Sequence, residues 1–147
     1  MGYRVFFEAK DCVACNACVV ACIDQNDTDV KHGEEPCRKP LEYELRSLSH
    51  AQFVYCHHCG NARCISSCPK GCLRRDSETG FVVYDDKECI GCGSCVKSCP
   101  FHAIHLSLNG KVRKCDGCNG RVKNGLRPAC AANCPTGAIR FVKDSDG

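Results

Sequence analysis

The feature of this sequence that most restricts its fold is the cysteine content. Of the 147 residues, 18 are Cys, a proportion typical of small chains that are cross-linked or metal-bound. The chain has no Trp, six Phe and four Tyr. Its apolar side chains are too few to stabilise the fold alone, so groups bound by the cysteines must supply the remaining free energy.

Sixteen of the cysteines fall into four groups of four. Groups one and three have the spacing C-x2-C-x2-C-x3-C, whereas the second gap is four residues in group two and eleven in group four. Groups two, three and four each end in Cys-Pro. In sequence order the groups are Cys12, Cys15, Cys18 and Cys22; Cys56, Cys59, Cys64 and Cys68; Cys89, Cys92, Cys95 and Cys99; and Cys115, Cys118, Cys130 and Cys134.

This spacing is typical of the bacterial [4Fe–4S] ferredoxins, in which the fourth cysteine of a run binds the cluster of a partner run. Three thiolates on a loop that turns into a helix can reach three corners of one cubane, whereas the fourth faces away. Zinc sites use paired cysteines rather than triplets, and disulfide frameworks belong to exported chains. A [3Fe–4S] centre usually has a residue other than Cys at the second position of the triplet, whereas all four groups have Cys there. We therefore predict four [4Fe–4S] clusters and no [3Fe–4S] centre.

The sequence also contains an internal repeat. Residues 68–73, 99–104 and 134–139 align without gaps. The repeat therefore predicts that residues 56–108 form a complete inner two-cluster module. It predicts an outer module formed by residues 1–55 and 109–147, with an insert at 23–55. The predicted fold class is α+β: a duplicated bacterial 2[4Fe–4S] ferredoxin-like fold, loop-rich, with short helices and hairpins, built as a nested pair of modules.

The nested arrangement predicts which cysteines share a cluster. A tandem arrangement, which pairs group one with group two and group three with group four, is the alternative that the spacing leaves open. The four nested ligand sets are Cys12, Cys15, Cys18 and Cys134; Cys56, Cys59, Cys64 and Cys99; Cys89, Cys92, Cys95 and Cys68; and Cys115, Cys118, Cys130 and Cys22.

Short elements are predicted around the groups. Helices are predicted over residues 17–24 and 94–98, and strands at 3–7, 81–84, 105–108 and 140–142. Asn109-Gly110, between the short segments 106–108 and 111–113, predicts a two-residue hairpin turn. Val13 and Ile90, each directly after the first cysteine of a group, are expected to shield a cluster from water.

The remaining candidate residues are assigned smaller roles. Cys72 occupies the position of an alanine in the other two repeats and is predicted to be a small buried residue. Cys37 lies in a Pro-bounded loop and is predicted to be a surface thiol. His57 and His58 are expected to form hydrogen bonds at most. The insert at 23–55 is either a docking surface or a cover for the outer cluster pair.

Charge and hydropathy exclude several classes of protein. The longest apolar run, residues 18–23, is six residues long, against the roughly 20 that a membrane helix needs. Residues 1–10 lack the pattern of an export signal. The formal charge is +3, and four clusters with their thiolates change it to about −5. We therefore expect no nucleic-acid partner and no direct membrane insertion.

The chain resembles a known family of iron–sulfur subunits. The stretches that carry the resemblance are the cysteine run at 12–22, FVVYDDKECIGC at 81–92, KCDGCNGR at 114–121, RPAC at 127–130 and CPTGAI at 134–139. They are similar to the four-cluster iron–sulfur subunit of the DMSO reductase and formate dehydrogenase families of molybdenum or tungsten enzymes. Ala62 departs from the pattern, because relatives often carry Pro there.

This resemblance implies a function in anaerobic electron transfer without a catalytic site in this chain. Nested ligation is the rule in the family. The clusters conduct electrons between a large pterin-containing catalytic subunit, of formate dehydrogenase, aldehyde oxidoreductase or DMSO-reductase type, and a second redox subunit. That second subunit is a flavoprotein, a hydrogenase, a quinone-reactive subunit or another ferredoxin-like protein. The alternatives are a free polyferredoxin and a hydrogenase-linked subunit. The expected location is cytoplasmic, with export beside a signal-bearing partner or membrane association through a partner as alternatives.

Overall fold

The chain folds into short strands and helices joined by the loops that carry the cysteines, and the computed structural model describes residues 2–40 and 52–144. The strands are β1 (Gly2–Phe7), β2 (Lys39–Pro40), β3 (Phe53–Val54), β4 (Leu73–Arg75), β5 (Val82–Tyr84), β6 (His105–Leu106), β7 (Val112–Arg113) and β8 (Ile139–Asp144). The helices are α1 (Ala17–Gln25), α2 (Arg63–Ser67), α3 (Ser94–Ser98), α4 (Asn119–Lys123) and α5 (Ala129–Ala132), and single 3-10 turns occur at Ala9–Asp11 and Val30–His32. The predicted α+β class is confirmed.

One strand pair joins the two ends of the chain, and the other described pairs join consecutive strands. Within the described ranges the strands form two-stranded antiparallel sheets, β1 with β8, β2 with β3, β4 with β5 and β6 with β7. The β1–β8 ladder runs from Gly2 opposite Asp144 to Phe7 opposite Ile139. It holds the loop of group one beside the end of group four.

The predicted local elements are largely present. Helix α3 has the predicted bounds, and α1 ends one residue later than predicted. The hairpin at Asn109-Gly110 differs, because β6 and β7 are separated by a five-residue loop closed by a bond from Ser107 N to Lys111 O at 2.8 Å. A two-residue type I′ turn needs a positive φ at both residues. Here only Gly110 has one, at +78°, while the Asn109 side chain accepts from Lys111 N.

A small apolar core connects the terminal sheet to the middle of the chain. Phe81, immediately before β5, is fully buried and packs with Val122 of α4 and with side chains of β1 and β8. Tyr3 stacks on Phe141 with ring centroids 5.0 Å apart. Groups one and four, at the two ends of the chain, are therefore anchored on the segment between groups two and three.

A buried carboxylate reinforces this junction. Asp76, in the turn between β4 and β5, is 3% exposed and accepts hydrogen bonds from Glu78 N at 2.9 Å and Thr79 N at 3.2 Å. Its other oxygen accepts from Asn119 Nδ2 at 3.0 Å and pairs with Lys123 Nζ at 2.8 Å. One carboxylate thus fixes both the β4–β5 turn and helix α4.

Replacing Asp76 by alanine is expected to destabilise the protein. The change leaves several donors without an acceptor, which costs about 2 kcal/mol, equivalent to a fall of roughly 5 °C in the midpoint temperature of thermal cluster loss. The midpoint is measured by visible absorbance under anaerobic conditions. Asp85→Ala is the matched control, because Asp85 is exposed and accepts from Lys87 N. Equal effects of the two substitutions would contradict the prediction.

The effect of Asp76 depends on pH in one direction. The Lys123 ammonium, and after it the Asn119 amide and two backbone N–H groups, hold the pKa of Asp76 well below its usual value of 3.8. Since this folded-state pKa is depressed, the carboxylate stabilises the fold above pH 3.8 and loses this effect as the pH falls through the folded-state pKa. The difference between wild type and Asp76→Ala should therefore be the same at about pH 6 and pH 8.

Candidate functional site: four cysteine-lined cavities

The structure brings the sixteen grouped cysteines together around four cavities, and one predicted set of four lines each cavity. We number them along the molecule as sites 1 to 4. Cys56 also lines site 2, and Cys72 also lines site 4. The grouped cysteines are Cys12, Cys15, Cys18 and Cys134 at site 1; Cys22, Cys115, Cys118 and Cys130 at site 2; Cys56, Cys59, Cys64 and Cys99 at site 3; and Cys68, Cys89, Cys92 and Cys95 at site 4.

Two pairs of packed helices position the cysteines of neighbouring sites. Helix α1 carries Cys18 and Cys22 one turn apart, so that they lie at sites 1 and 2. It packs on α5, which carries Cys130 of site 2 and is followed by Cys134 of site 1. Helices α2 and α3 pack in the same way and connect sites 3 and 4. Each pair of helices therefore links two sites through cysteines four residues apart.

The loops before these helices use left-handed backbone conformations. Gly91 and Gly93 of group three have φ of +70° and +77°. Ala14 and Asn16 occupy the equivalent positions of group one with φ of +59° and +61°. Residues other than glycine rarely adopt such angles. The loop of group one therefore keeps the same shape as that of group three, but its backbone is strained.

Backbone N–H groups point at the cysteine sulfurs. The amide two residues after the first cysteine donates to its Sγ in three groups: Ala14 N to Cys12 at 3.3 Å, His58 N to Cys56 at 3.4 Å and Gly117 N to Cys115 at 3.3 Å. The amide four residues after the last cysteine donates in two groups: Cys72 N to Cys68 at 3.3 Å and Ala103 N to Cys99 at 3.4 Å. Such bonds stabilise thiolates bound to a cluster.

The arrangement fits a polynuclear cluster better than a single ion. In residues 2–40 and 52–144, no group of three or more His, Cys, Asp or Glu side chains could hold a single metal ion. Zinc holds its four ligands about one small ion, whereas a cubane separates the four thiolates at its corners. Each cavity is lined by at least four cysteine thiols, the number of ligands that a [4Fe–4S] cluster requires.

Burial raises the pKa of several of these thiols. Burial raises the pKa of Cys130 to about 11, although the nearby Arg38 charge partly offsets it. Burial also raises the pKa of Cys115 well above its usual value and raises that of Cys64, where Lys114 opposes the shift. Binding iron at these sites therefore displaces protons.

His58 lies between sites 2 and 3. Its Nδ1 accepts a hydrogen bond from Val82 N at 3.0 Å, and its Nε2 is 3.8 Å from Cys115 Sγ. A backbone N–H can only donate, so the neutral ring must carry its proton on Nε2 and present it to the sulfur. Burial, and after it the Lys114 charge, holds the pKa of His58 well below its usual value. His58 thus has the hydrogen-bonding role expected from the sequence, whereas His57 stacks between Tyr55 and Phe101.

The two ungrouped cysteines differ in how well their positions were predicted. Cys72 is 4% exposed, as expected from the buried alanines that replace it in the other repeats, Ala103 and Ala138. The prediction that Cys37 is a surface thiol is wrong, because Cys37 is also 4% exposed. It hydrogen-bonds with Cys22 of site 2. Folding of the insert onto site 2 buries this thiol, and no local pattern in the sequence indicates such packing.

The described parts of the insert lie over sites 1 and 2. Phe53 lines site 1, and Arg38 and Tyr55 line site 2. Sequence reasoning missed Arg38, which is 4% exposed and belongs to no motif. Residues 41–51 of the insert lie outside the described residues.

Sites 1 and 4 reach the surface. Cys15 of site 1 and Cys92 of site 4 are exposed, whereas the middle cysteines of the other triplets, Cys59 and Cys118, are partly buried. Val13 and Ile90, which were expected to shield clusters from water, line sites 1 and 4 and are 64% and 62% exposed. Each therefore presents an apolar side chain to the outside next to an exposed cysteine.

The sites follow one another in a single order. The helix pairs connect site 1 to site 2 and site 3 to site 4. Sites 2 and 3 adjoin because Cys56 of site 3 lines site 2, and its charge is among those that influence the pKa of Cys115. The order is therefore 1, 2, 3, 4, with the two exposed sites at the ends.

These features define an iron–sulfur protein of the ferredoxin type. The chain belongs to the family of 4Fe-4S dicluster domains, whose profile matches residues 50–144. It is 41% identical over 145 residues to the thiosulfate reductase electron transfer subunit PhsB of Salmonella typhi, covering 95% of this chain and 74% of that protein. It is 31% identical to the B subunit of the anaerobic dimethyl sulfoxide reductase of Haemophilus influenzae and 35% identical to that of Escherichia coli K12, again over 95% of this chain and over 73% and 72% of those proteins.

The relatives confirm the resemblance to iron–sulfur subunits of the DMSO reductase family. The chain is an electron-transfer protein that binds four [4Fe–4S] clusters. No helix in the described ranges is long and apolar enough to span a bilayer.

Proposed function

We propose that this chain conducts electrons between a catalytic subunit that carries a molybdenum or tungsten pterin and a second redox subunit. The observation that carries the proposal is the row of four sites, because a row of clusters connects two distant partners, whereas a carrier that exchanges with one partner at a time needs no such length. The similarity to subunits of thiosulfate and DMSO reductases supports the choice of catalytic partner.

The proposal includes the nested ligand sets. Each predicted set of four cysteines lines one cavity, and this grouping supports nested over tandem pairing. The outer module, residues 1–55 and 109–147, then holds sites 1 and 2, and the inner module, residues 56–108 with a duplicated ferredoxin-like fold, holds sites 3 and 4. The antiparallel β1–β8 ladder, which joins the two ends of the chain, supports the nesting.

Each end of the row is proposed to face one partner. Electron exchange needs a cluster near the surface, and only sites 1 and 4 have an exposed middle cysteine among the four. Val13 and Ile90 supply apolar contact beside them, of the kind that partner proteins bury. The insert is proposed to act as a cover for sites 1 and 2, since Arg38 and Phe53 line those cavities.

The decisive experiment is anaerobic purification of the native protein from its own cell through a tag. We expect a larger pterin protein with bound Mo or W to co-purify, together with iron close to the sixteen atoms that four cubanes contain. A tagged chain that is recovered free of any pterin protein, and that reduces several unrelated enzymes, would establish the free polyferredoxin instead.

Two surface variants test the two ends. In the purified complex, Val13→Asp should impair electron exchange with one partner and Ile90→Asp with the other, because each places a charge in one apolar contact. Both variants should keep the wild-type iron content, since neither side chain is a ligand. Impairment of the same partner by both variants would contradict a two-ended path.

The compartment is also part of the proposal. The two cysteines outside the proposed ligand sets, Cys37 and Cys72, form no disulfide with the other described residues, and unpaired thiols persist in the reducing cytoplasm, which supports a cytoplasmic complex. Cell fractionation with antibodies against the native complex tests it, and recovery in an exported fraction would overturn it.

A further inference from the structure

Arg38 is a buried cation without an acidic partner among the described residues. Its side chain is enclosed by aromatic rings, with the guanidinium carbon 4.6 Å from the ring centroid of Tyr55, 4.8 Å from that of Phe53 and 5.3 Å from that of Phe7. The residue is 4% exposed. Its Nε and Nη2 atoms are buried without a hydrogen-bond partner in the described part of the chain, although a guanidinium normally donates all five of its N–H groups.

The position of Arg38 places this charge between sites 1 and 2. Arg38 lines the cavity of site 2 together with Cys22, Cys118 and Cys130, and its backbone N–H donates to Cys22. Two of the three rings around it, those of Phe7 and Phe53, line site 1. The aromatic rings and the protein interior exclude water, so solvent does little to screen the charge.

A buried charge is retained in a fold only when an opposite charge accompanies it. The aromatic faces supply part of the compensation through cation–π contacts. No carboxylate in residues 2–40 and 52–144 pairs with Arg38. Asp116 also lines site 2 but makes no ion pair with Arg38. The opposite charge that we assign to Arg38 is that of the four thiolates and core at site 2, which together are net negative in both oxidation states.

We propose that Arg38 is the fixed counter-charge of the cluster at site 2 and raises the reduction potential of that cluster. The inference rests on the ligand set proposed for site 2. When the cluster accepts one electron from a neighbour in the row, one negative charge is added and no proton is taken up. The guanidinium remains charged throughout, and its attraction is stronger for the reduced cluster than for the oxidised one. Arg38 therefore changes the reduction potential of the cluster through its charge and does not bind the cluster as a ligand.

The test compares midpoint potentials in the purified holoprotein by redox titration with EPR. Arg38→Gln should lower the potential of one cluster while the iron content stays at the wild-type value. Arg38→Lys, which keeps the charge, should leave that potential close to the wild-type value. Arg63→Gln is the matched control, because Arg63 adjoins the site 3 ligand Cys64 but is exposed to water, so its loss should shift no potential by a comparable amount.

A Cys118→Ser protein identifies the signal of site 2 independently. If the Cys118→Ser protein keeps all four clusters, the ligand set proposed for site 2 is wrong. That result contradicts the ligand set and not the role of Arg38. With the set established, wild-type potentials in an Arg38→Gln protein that retains four clusters would overturn the proposal.

If Arg38→Gln does not assemble, two further variants decide. Assembly of Arg38→Lys but not of Arg38→Met supports the counter-charge, because both side chains fill space and one is charged. Assembly of neither variant, or of Arg38→Met with unshifted potentials, shows that Arg38 serves packing alone and overturns the proposal.

Discussion

A Cys68→Ala protein is expected to lose the same cluster as a Cys92→Ala protein. Cys68 closes group two in the sequence, yet it lines site 4 with three cysteines of group three. Removing one of four thiolates leaves the cluster without a full ligand set. Each variant should therefore contain about twelve irons in place of sixteen, and reduced samples of both should lack the same EPR signal.

Comparison with a Cys15→Ala protein makes the result decisive. Tandem pairing assigns Cys68 to the cluster of group one, so Cys68→Ala would then lose the signal that Cys15→Ala loses. The nested sets predict that these two variants lose different signals. Cys72→Ala is the matched control, since Cys72 is buried and lines site 4 but is not a proposed ligand. It should retain all four clusters.

Replacing Gly117 by alanine should strongly destabilise the fold. A Cβ at this position would lie 2.5 Å from Cδ2 and 2.6 Å from Cγ of Phe81, whose ring is fully buried and cannot move aside. Gly117 also has φ of +71°, which strains any L side chain. Overpacking and strain together should cost about 3 kcal/mol, or roughly 10 °C in the temperature of cluster loss.

Gly93→Ala separates the two causes. Gly93 has φ of +77° and also lies in a cysteine loop, but a Cβ there would meet no atom within 4 Å. Asn16 holds the equivalent position of group one at φ of +61°, so a side chain can be accommodated. Gly93→Ala should cost about 1 kcal/mol from backbone strain alone. If thermal denaturation gave equal losses for both variants, contact with Phe81 would not be the cause at Gly117.

Local features of the fold could be predicted because they depend on neighbouring residues. The predicted bounds of α3 were correct, and those of α1 were correct to within one residue. Both helices begin where a cysteine loop turns into a helix, and they end near proline or polar residues. Cys72 could be placed in the interior because the repeats align it with alanines. The hairpin at Asn109-Gly110 was predicted in the right place with the wrong length, since the Asn109 side chain bonds to Lys111 N and replaces the tighter turn.

Features that depend on distant segments could not be predicted. Cys37 and Arg38 belong to no motif and follow a proline in a polar stretch, which is typical of an exposed loop. The insert instead folds against Cys22 and Phe7, and both residues are buried. His58 could be expected to form a hydrogen bond, but its partner Cys115 is 57 residues away in the sequence.

The sequence by itself determined the number of clusters, the type of ligand and the short elements, because cysteine spacing and repeat length are local properties. Only the tertiary structure decided which cysteines line the same cavity, in what order the sites follow one another and which two reach the surface. It also decided that Arg38 lies buried beside site 2. These outcomes follow from the β1–β8 ladder and the two helix pairs, because they bring into contact segments that are far apart in the sequence.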